Sequence, residues 1–337
     1  MSSNNNCRNF PSEKIAFVGL LCAFMVVIDH AQTPASPGSF AWWIMSTVSR
    51  GICQIAVPFF FTVSGFFLAA HIEEEGWWKR EMLKRVKSLC VPFLLWSFIG
   101  TCVLLPIVNS EALPHGWAVL RYVGLYPFAL PFVTPLWYLR SLIILVAISP
   151  LLVWLVRMKY GALVLAGWYV VSIVLSKMLA QWPEVNNFLG NFVPLKWGCF
   201  WFSLGVYLRD RGIVFKPSSC KTALIIIVGI LLVLGAKFSE LNGFKYAALM
   251  QKISIPFLLA GFWYLAPRKG QPHALLSYAF PIYLIHMPII AYCRKFVPAE
   301  GLLAYASTIT IAIVVSIAVA FLLKTMPKVT KLLFGGR

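Results

Sequence analysis

Ile15-Ala-Phe-Val-Gly-Leu-Leu-Cys-Ala-Phe-Met-Val-Val-Ile28 is an unbroken apolar run that ends in Asp29-His30. An ionisable pair closing such a run is expensive if the run lies in a bilayer, and it then marks a working site by default. Composition decides the setting: 60% of the 337 residues are hydrophobic, 15% aromatic and 12% charged, where a soluble domain carries roughly 25% charged. The chain is therefore expected to be an all-α, polytopic membrane helix bundle.

Working outward from that first run, windows of about 20 apolar residues match a hydrocarbon core of roughly 30 Å. They fall at 14–31, 51–70, 88–108, 135–156, 161–180, 194–208, 222–236, 247–266, 275–293 and 302–323. That is about ten spans. The window 194–208 holds Lys196, and 247–266 holds Gln251, Lys252 and Pro256, so the count could be nine or eleven. One domain, 1–337, is expected, with cytoplasmic tails at 1–13 and 324–337. Placing the N-terminus inside puts 19 of the 29 Lys and Arg residues in cytoplasmic segments, the bias that sets membrane topology.

The same bias explains the net charge of +18. Positive-inside topology and contact with anionic membrane lipid account for it, and no nucleic-acid-reading motif accompanies it. Asn4, Asn5 and Asn6 precede the first span and no small-residue cleavage site follows it, so it reads as a retained helix, not a signal peptide. The eight cysteines contain no C-x-x-C pair and suggest neither a disulfide framework nor a metal site. Of the two long connections, 32–50 and 109–134, the second holds Glu111, His115, Trp117, Arg121, Tyr122 and four prolines from Pro114 to Pro135 and could lie as an interfacial helix. No internal repeat is visible.

Polar residues in the spans are the functional leads. His30, Arg140, His286 and Lys196 all fall in the outer half of this topology, His30 about 24 Å of helical rise from Lys14. Each also has a plain reading: an interfacial histidine for His30, snorkelling for Arg140 and Lys196, a packed and hydrogen-bonded histidine for His286. Asp29 cannot orient His30 directly, because adjacent helical side chains diverge by about 100°.

Five blocks resemble the acyltransferase 3 family of integral membrane acyltransferases, in the family's order and over nearly the whole chain. They are Met25-Val-Val-Ile-Asp-His30, Val57-Pro-Phe-Phe-Phe-Thr-Val-Ser-Gly-Phe-Phe67, Lys84-Arg-Val-Lys-Ser-Leu-Cys-Val-Pro-Phe-Leu-Leu-Trp-Ser97, Leu136-Trp-Tyr-Leu-Arg140 and Ser277-Tyr-Ala-Phe-Pro-Ile-Tyr-Leu-Ile-His-Met-Pro288. Two departures stand out. The family's arginine eleven positions before the histidine is Gly19 here, with Lys14 the nearest basic residue upstream, and the paired arginines of the basic arm appear as Arg85 and Ser88.

The resemblance implies a multi-pass protein of the cell membrane, such as a bacterial inner membrane. It would move an acyl group, commonly acetyl, from cytoplasmic acyl-CoA to a hydroxyl of a saccharide or other envelope acceptor. Acyl-CoA would be a donor substrate, with no bound cofactor or metal. His30 would be the general base or transient acyl carrier, and Arg140 would stabilise the oxyanion or clamp an anionic acceptor. Lys79, Arg80, Lys84, Arg85 and Lys87 would meet the CoA phosphates, although topology alone also explains that arm. Ser64, Trp137, Tyr138, Tyr283 and His286 would support substrate or structure, Ser64 with Gly65 as a close-packing pair. With 14 residues after Leu323, the bundle would bind its acceptor alone or with a separate partner. A secondary transporter, which predicts inverted repeats, and a silent membrane sensor are the rival readings.

With both ends inside, reporter fusions at Met1 and Arg337 should each read cytoplasmic. A C-terminus that reads outside would overturn the topology.

Overall fold

A computed structural model describes residues 12–108, 119–192, 194–213, 219–267, 277–296 and 300–335. The sequence-predicted features at Glu111, His115 and Trp117, and the basic residues Arg8, Lys216, Arg268, Lys269 and Arg337, lie outside them. The described residues form helices and turns, without strand. In chain order the helices are α1 (Ser12–His30), α2 (Phe40–Val48), α3 (Ala56–Leu68), α4 (Trp77–Arg85), α5 (Val91–Val108) and α6 (Val119–Tyr122). Next come α7 (Trp137–Ala147), α8 (Ser149–Arg157), α9 (Gly161–Met178), α10 (Pro183–Asn187) and α11 (Gly198–Asp210). The last are α12 (Ser219–Leu241), α13 (Ala247–Leu265), α14 (Ala279–Phe296), α15 (Gly301–Lys324) and α16 (Pro327–Phe334).

Every expected window overlaps a helix, but not all of these helices can cross a bilayer by length and apolarity. Six qualify among the described residues, and seven if α7 and α8 form one broken span. The number ten is therefore not established. The three that fall short have physical reasons: α1 carries Glu13, Lys14 and Asp29, α11 has only 13 residues, and α14 holds His286, two prolines, Arg294 and Lys295. These same helices supply much of the buried core, through Val18, Cys22, Val27, Phe202, Val206, Ile282 and Ile290. Surrounding protein shelters Lys14 and His286, while Arg294 and Lys295 at the end of α14 are exposed. Conversely α9, α13 and α15 leave most of their apolar surface uncovered, as lipid-facing helices do.

Small residues decide how closely the interior helices meet. A Cβ placed on Gly65 of α3 would sit 2.0 Å from the carbonyl oxygen of Phe202, and one on Gly205 of α11 would sit 1.9 Å from that of Thr62. The two backbones touch, with glycine the only residue that fits on either side. Ser64 turns away from this contact, so the packing role falls to Gly65.

Two irregularities shape the end of the bundle where α4 lies. The first is the 65° bend between α7 and α8. Pro150 has no N–H and its ring displaces the carbonyl four residues back, at Val146. Ser149 Oγ donates to that carbonyl at 2.7 Å, and Trp78 Nε1 of α4 donates to Ala147 O at 3.1 Å, so the break also docks α4. The second is a π-turn at Val86–Cys90, where Val91 N–H bonds Val86 O. Pro92 explains it, since its ring would clash with Ser88 O in a regular helix.

The expected interfacial helix in 109–134 is, in its described part, only α6 and a turn that folds over Gly124, whose φ is +78°. Cys22, Cys53, Cys90, Cys102, Cys199, Cys220 and Cys293 are free thiols.

Gly65→Ala and Gly205→Ala should each lower stability by about 1–3 kcal/mol, the usual cost of overpacking. Gly167→Ala in α9 meets nothing within 4 Å and should leave thermal unfolding of the purified protein unchanged. Equal unfolding temperatures for all three variants would refute the backbone contact.

Candidate functional site

Helix α1 ends at His30 because a ring of polar groups takes over where its apolar run stops. Ser49 Oγ donates to Ile28 O at 2.9 Å and pairs with Tyr305 Oη at 2.7 Å, while Gln54 Nε2 donates to Asp29 Oδ1 at 2.9 Å and Gln32 Nε2 donates to Asp29 O at 2.9 Å. Asp29 thus braces the helix end and does not hold His30. Arg294 of α14 completes the cap, its Nη2 donating to His30 O at 2.5 Å and Gln32 O at 3.1 Å.

The same α1–α14 contact sets two imidazoles face to face. The His30 and His286 ring centroids are 5.4 Å apart at 34°. His286 is completely buried, its Nδ1 lies 3.2 Å from Ile282 O, and its Nε2 has no hydrogen-bond partner among the described residues. Since the carbonyl can only accept, Nδ1 carries the proton and Nε2 presents a lone pair. One turn back along α14, the ring of Tyr283 lies 6.4 Å from that of His286 and 5.8 Å from that of Tyr138.

Below these tyrosines a cavity of about 470 Å³ opens toward α4, within the range of small-molecule sites. Phe60, Val63, Ser64 and Phe67 of α3 form one wall, and Tyr138, Leu139 and Leu142 of α7 another. Ala279, Phe280 and Tyr283 of α14 close it, with His71, Lys84, Arg85 and Leu89 at its mouth. Tyr138 and Tyr283 cap its inner end, and Tyr283 Oη donates to Pro135 O at 2.5 Å.

The basic arm divides at this mouth. Lys84 and Arg85 line the cavity and flank the buried carboxylate of Glu81, at 3.4 and 3.3 Å. Arg80 instead turns to Glu74 at 2.6 Å and to Glu75 O at 2.7 Å. The hydrogen bond from His71 and the nearby Arg80 charge hold the Glu74 carboxyl below its ordinary range. Lys79 and Lys87 are exposed and outside the lining.

Arg140 faces the bundle interior and does not snorkel to the surface. It is buried, and its guanidinium donates to the carbonyls of Gly124, Tyr126 and Ala129 at 2.8, 2.9 and 3.4 Å, 5.1 Å from the Phe192 ring centroid. None of those bonds goes to His30. Lys196 is likewise no snorkelling surface lysine: it is buried and its Nζ bonds Asn186 Oδ1. Of the four polar residues that the sequence groups together, only His30 and His286 meet. Trp137 also lies outside the cavity, its ring 6.3 Å from that of Phe61. Gly19 is buried with only Phe59 near a Cβ built on it, at 3.9 Å, and Lys14 sits 4.8 Å over the Trp263 ring.

Sequence reasoning misses His71 and Arg294. His71 follows the apolar run Phe66–Ala70 and precedes the acidic run Glu73–Glu75, which reads as a plain solvated turn. Arg294 is eight residues, a little over two helical turns, beyond His286. That spacing is the one signal that could have linked it to the histidine.

Comparison with known proteins places these features in a family context. A family model described as an acyltransferase domain matches residues 20–325. The succinoglycan biosynthesis protein ExoH of Rhizobium meliloti is 25% identical over 187 residues, which cover 52% of this chain and 46% of that protein. The chain thus spans about half the length of this curated relative. No solved structure matches.

Arg140→Ala should leave three carbonyls without their charged donor and destabilise the protein by about 2–4 kcal/mol. Limited proteolysis should then cut within 124–130, and Arg140→Lys should restore only part of the protection, because an ammonium lacks the planar fork. Wild-type resistance in Arg140→Ala would show that the clamp is dispensable.

Proposed function

The chain belongs to the acyltransferase-domain family, and from that premise we propose that it is a membrane acyltransferase moving an acyl group, acetyl in the simplest case, from acyl-CoA to a hydroxyl of a saccharide or other envelope molecule. The observation that carries this reading is the cavity: its mouth is basic, and its inner end stops at Tyr283, one turn from the His286–His30 pair. A donor with a phosphate-rich end and a thioester at the tip of a slender arm matches that gradient. In this reading the mouth faces the cytoplasm, as the basic bias predicts.

Lys84 and Arg85 bind the CoA phosphates by charge-assisted hydrogen bonds, with His71 beside them. Lys79 and Lys87 add long-range attraction, and Arg80, held by Glu74, shapes the turn. The pantetheine arm lies along Val63, Ser64, Leu139 and Leu142, and the thioester reaches the tyrosine pair. The acceptor hydroxyl approaches from the His30 end.

His30 takes the hydroxyl proton as general base. The oxygen attacks the thioester carbonyl, a C–O bond forms, and a tetrahedral oxyanion results. Its collapse breaks the C–S bond, and the proton held by His30 passes to the leaving CoA sulfur. Arg294 supplies a fixed positive charge beside the reacting centre. His286, with its lone pair in a dry pocket, steadies the His30 ring. Arg140 serves as a positioning residue that holds the 124–129 turn over α7, and Trp137 braces the aromatic core behind Tyr138.

His30→Ala should reduce release of CoA thiol, and transfer of labelled acetyl to envelope material, by at least about a hundredfold while the protein stays folded. Unchanged turnover would reject the assignment. Lys84→Gln with Arg85→Gln should raise the KM for acetyl-CoA and flatten its salt dependence, with kcat little changed. A KM that does not move would return the arm to a topological role.

A further inference from the structure

The C-terminal segment contacts two stretches of chain that run directly into residues lining the cavity. On one side Lys324 Nζ lies 3.6 Å over the Tyr278 ring and bonds Ser277 Oγ, immediately before the lining residues Ala279 and Phe280. On the other, Phe334 is buried and stacks on Trp96 at 6.2 Å and 24°, while Trp96 Nε1 donates to Leu333 O at 3.0 Å. Gly335 follows with φ +65°, and a Cβ there would lie 2.4 Å from Ser88 O. Ser88 sits in the π-turn between Arg85 and Leu89, both cavity residues. The segment 324–335 is thus a clasp between the start of α14 and the π-turn that leads into α5.

Its outward face has a second chemistry. At 3.6 residues per turn, Thr330, Leu333 and Phe334 point into the bundle, and Lys328, Val329, Lys331 and Leu332 point away and are exposed. The two lysines lie side by side, with the two aliphatic residues along their flank. A short helix with cations beside an apolar stripe suits the boundary between headgroups and acyl chains, and each lysine near an anionic leaflet contributes about 1 kcal/mol. No carboxylate is paired with Lys328 or Lys331 in the described ion pairs. The helix also hangs at the end of α15, a lipid-facing span, which sets it at membrane-surface depth.

We propose that α16 is an anionic-lipid-binding helix whose seating on the membrane holds the π-turn of the basic arm, and with it Lys84 and Arg85, in place for the donor. The coupling to donor binding rests on the functional reading above. The lipid contact and its effect on the π-turn do not.

The test uses the full-length protein in nanodiscs of phosphatidylcholine alone or with phosphatidylglycerol. Amide hydrogen exchange at residues 86–91 should slow several-fold with phosphatidylglycerol in the wild type. Lys328→Gln with Lys331→Gln should erase that difference, and Phe334→Ala should speed exchange in both lipids. Equal exchange in the two lipids for the wild type would overturn the lipid contact, and an unaltered Phe334→Ala would overturn the clasp. Binding of labelled acetyl-CoA should tighten several-fold with phosphatidylglycerol, and the double lysine variant should bind as the wild type does in phosphatidylcholine. Weaker binding by that variant in phosphatidylcholine alone would mean that the lysines touch CoA itself, and would refute the lipid assignment. If the wild type binds no acetyl-CoA in either lipid, the donor reading fails, while the exchange data still decide the clasp.

Discussion

Desolvation is the constraint on which the rest of this structure depends. Within the hydrocarbon layer of a bilayer, each buried polar group needs a partner inside the protein. Arg140 meets this demand with three backbone carbonyls, so a charge that cannot be neutralised becomes the anchor of the 124–129 turn. Asp29 meets it with Gln54, and the carbonyls freed by Pro150 meet it with Ser149 and Trp78. Arg140, Gln54 and Trp78 each tie separate segments of the chain together. Polar satisfaction, more than apolar matching, fixes which helices are neighbours, because lipid tails are as apolar as leucine and exert little preference between helices.

His286 is one of several described residues with a buried side-chain atom that lacks such a partner, as Arg140 Nε and Trp201 Nε1 also do. Its Nδ1 is satisfied within its own helix, but Nε2 remains bare in a fully buried position beside His30. A buried acceptor without a donor is costly, and the cost is tolerated where a group must be ready to interact with something that comes and goes. The cavity provides the approach, since Tyr283 lies between its inner end and His286. The two ends of the bundle therefore differ in character, with Lys84 and Arg85 of α4 at one and the His30–His286 pair of the α1–α14 junction at the other.

The interior helices are the least membrane-like in sequence. Much of α1, α11 and α14 is covered by neighbouring helices, which lets them carry Lys14 and His286 or stop after 13 residues. The lipid-facing α9, α13 and α15 have no such cover. Counting spans by apolarity consequently undercounts the functional part of the bundle.

The all-helical, polytopic architecture and the family were legible in the sequence, because apolar run length and local motifs are one-dimensional properties. So was the basic character of the arm. What the sequence could not decide is which polar residues meet. Arg140 and His30 fall in the same half of the membrane in sequence, yet Arg140 turns to the 124–129 carbonyls while His286 reaches His30. That outcome depends on the rotation of each helix about its axis and on the glycine contact of α3 with α11, where a Cβ would force the backbones apart. Periodicity places a residue at a depth, and only the packing of helices selects the partner it faces there.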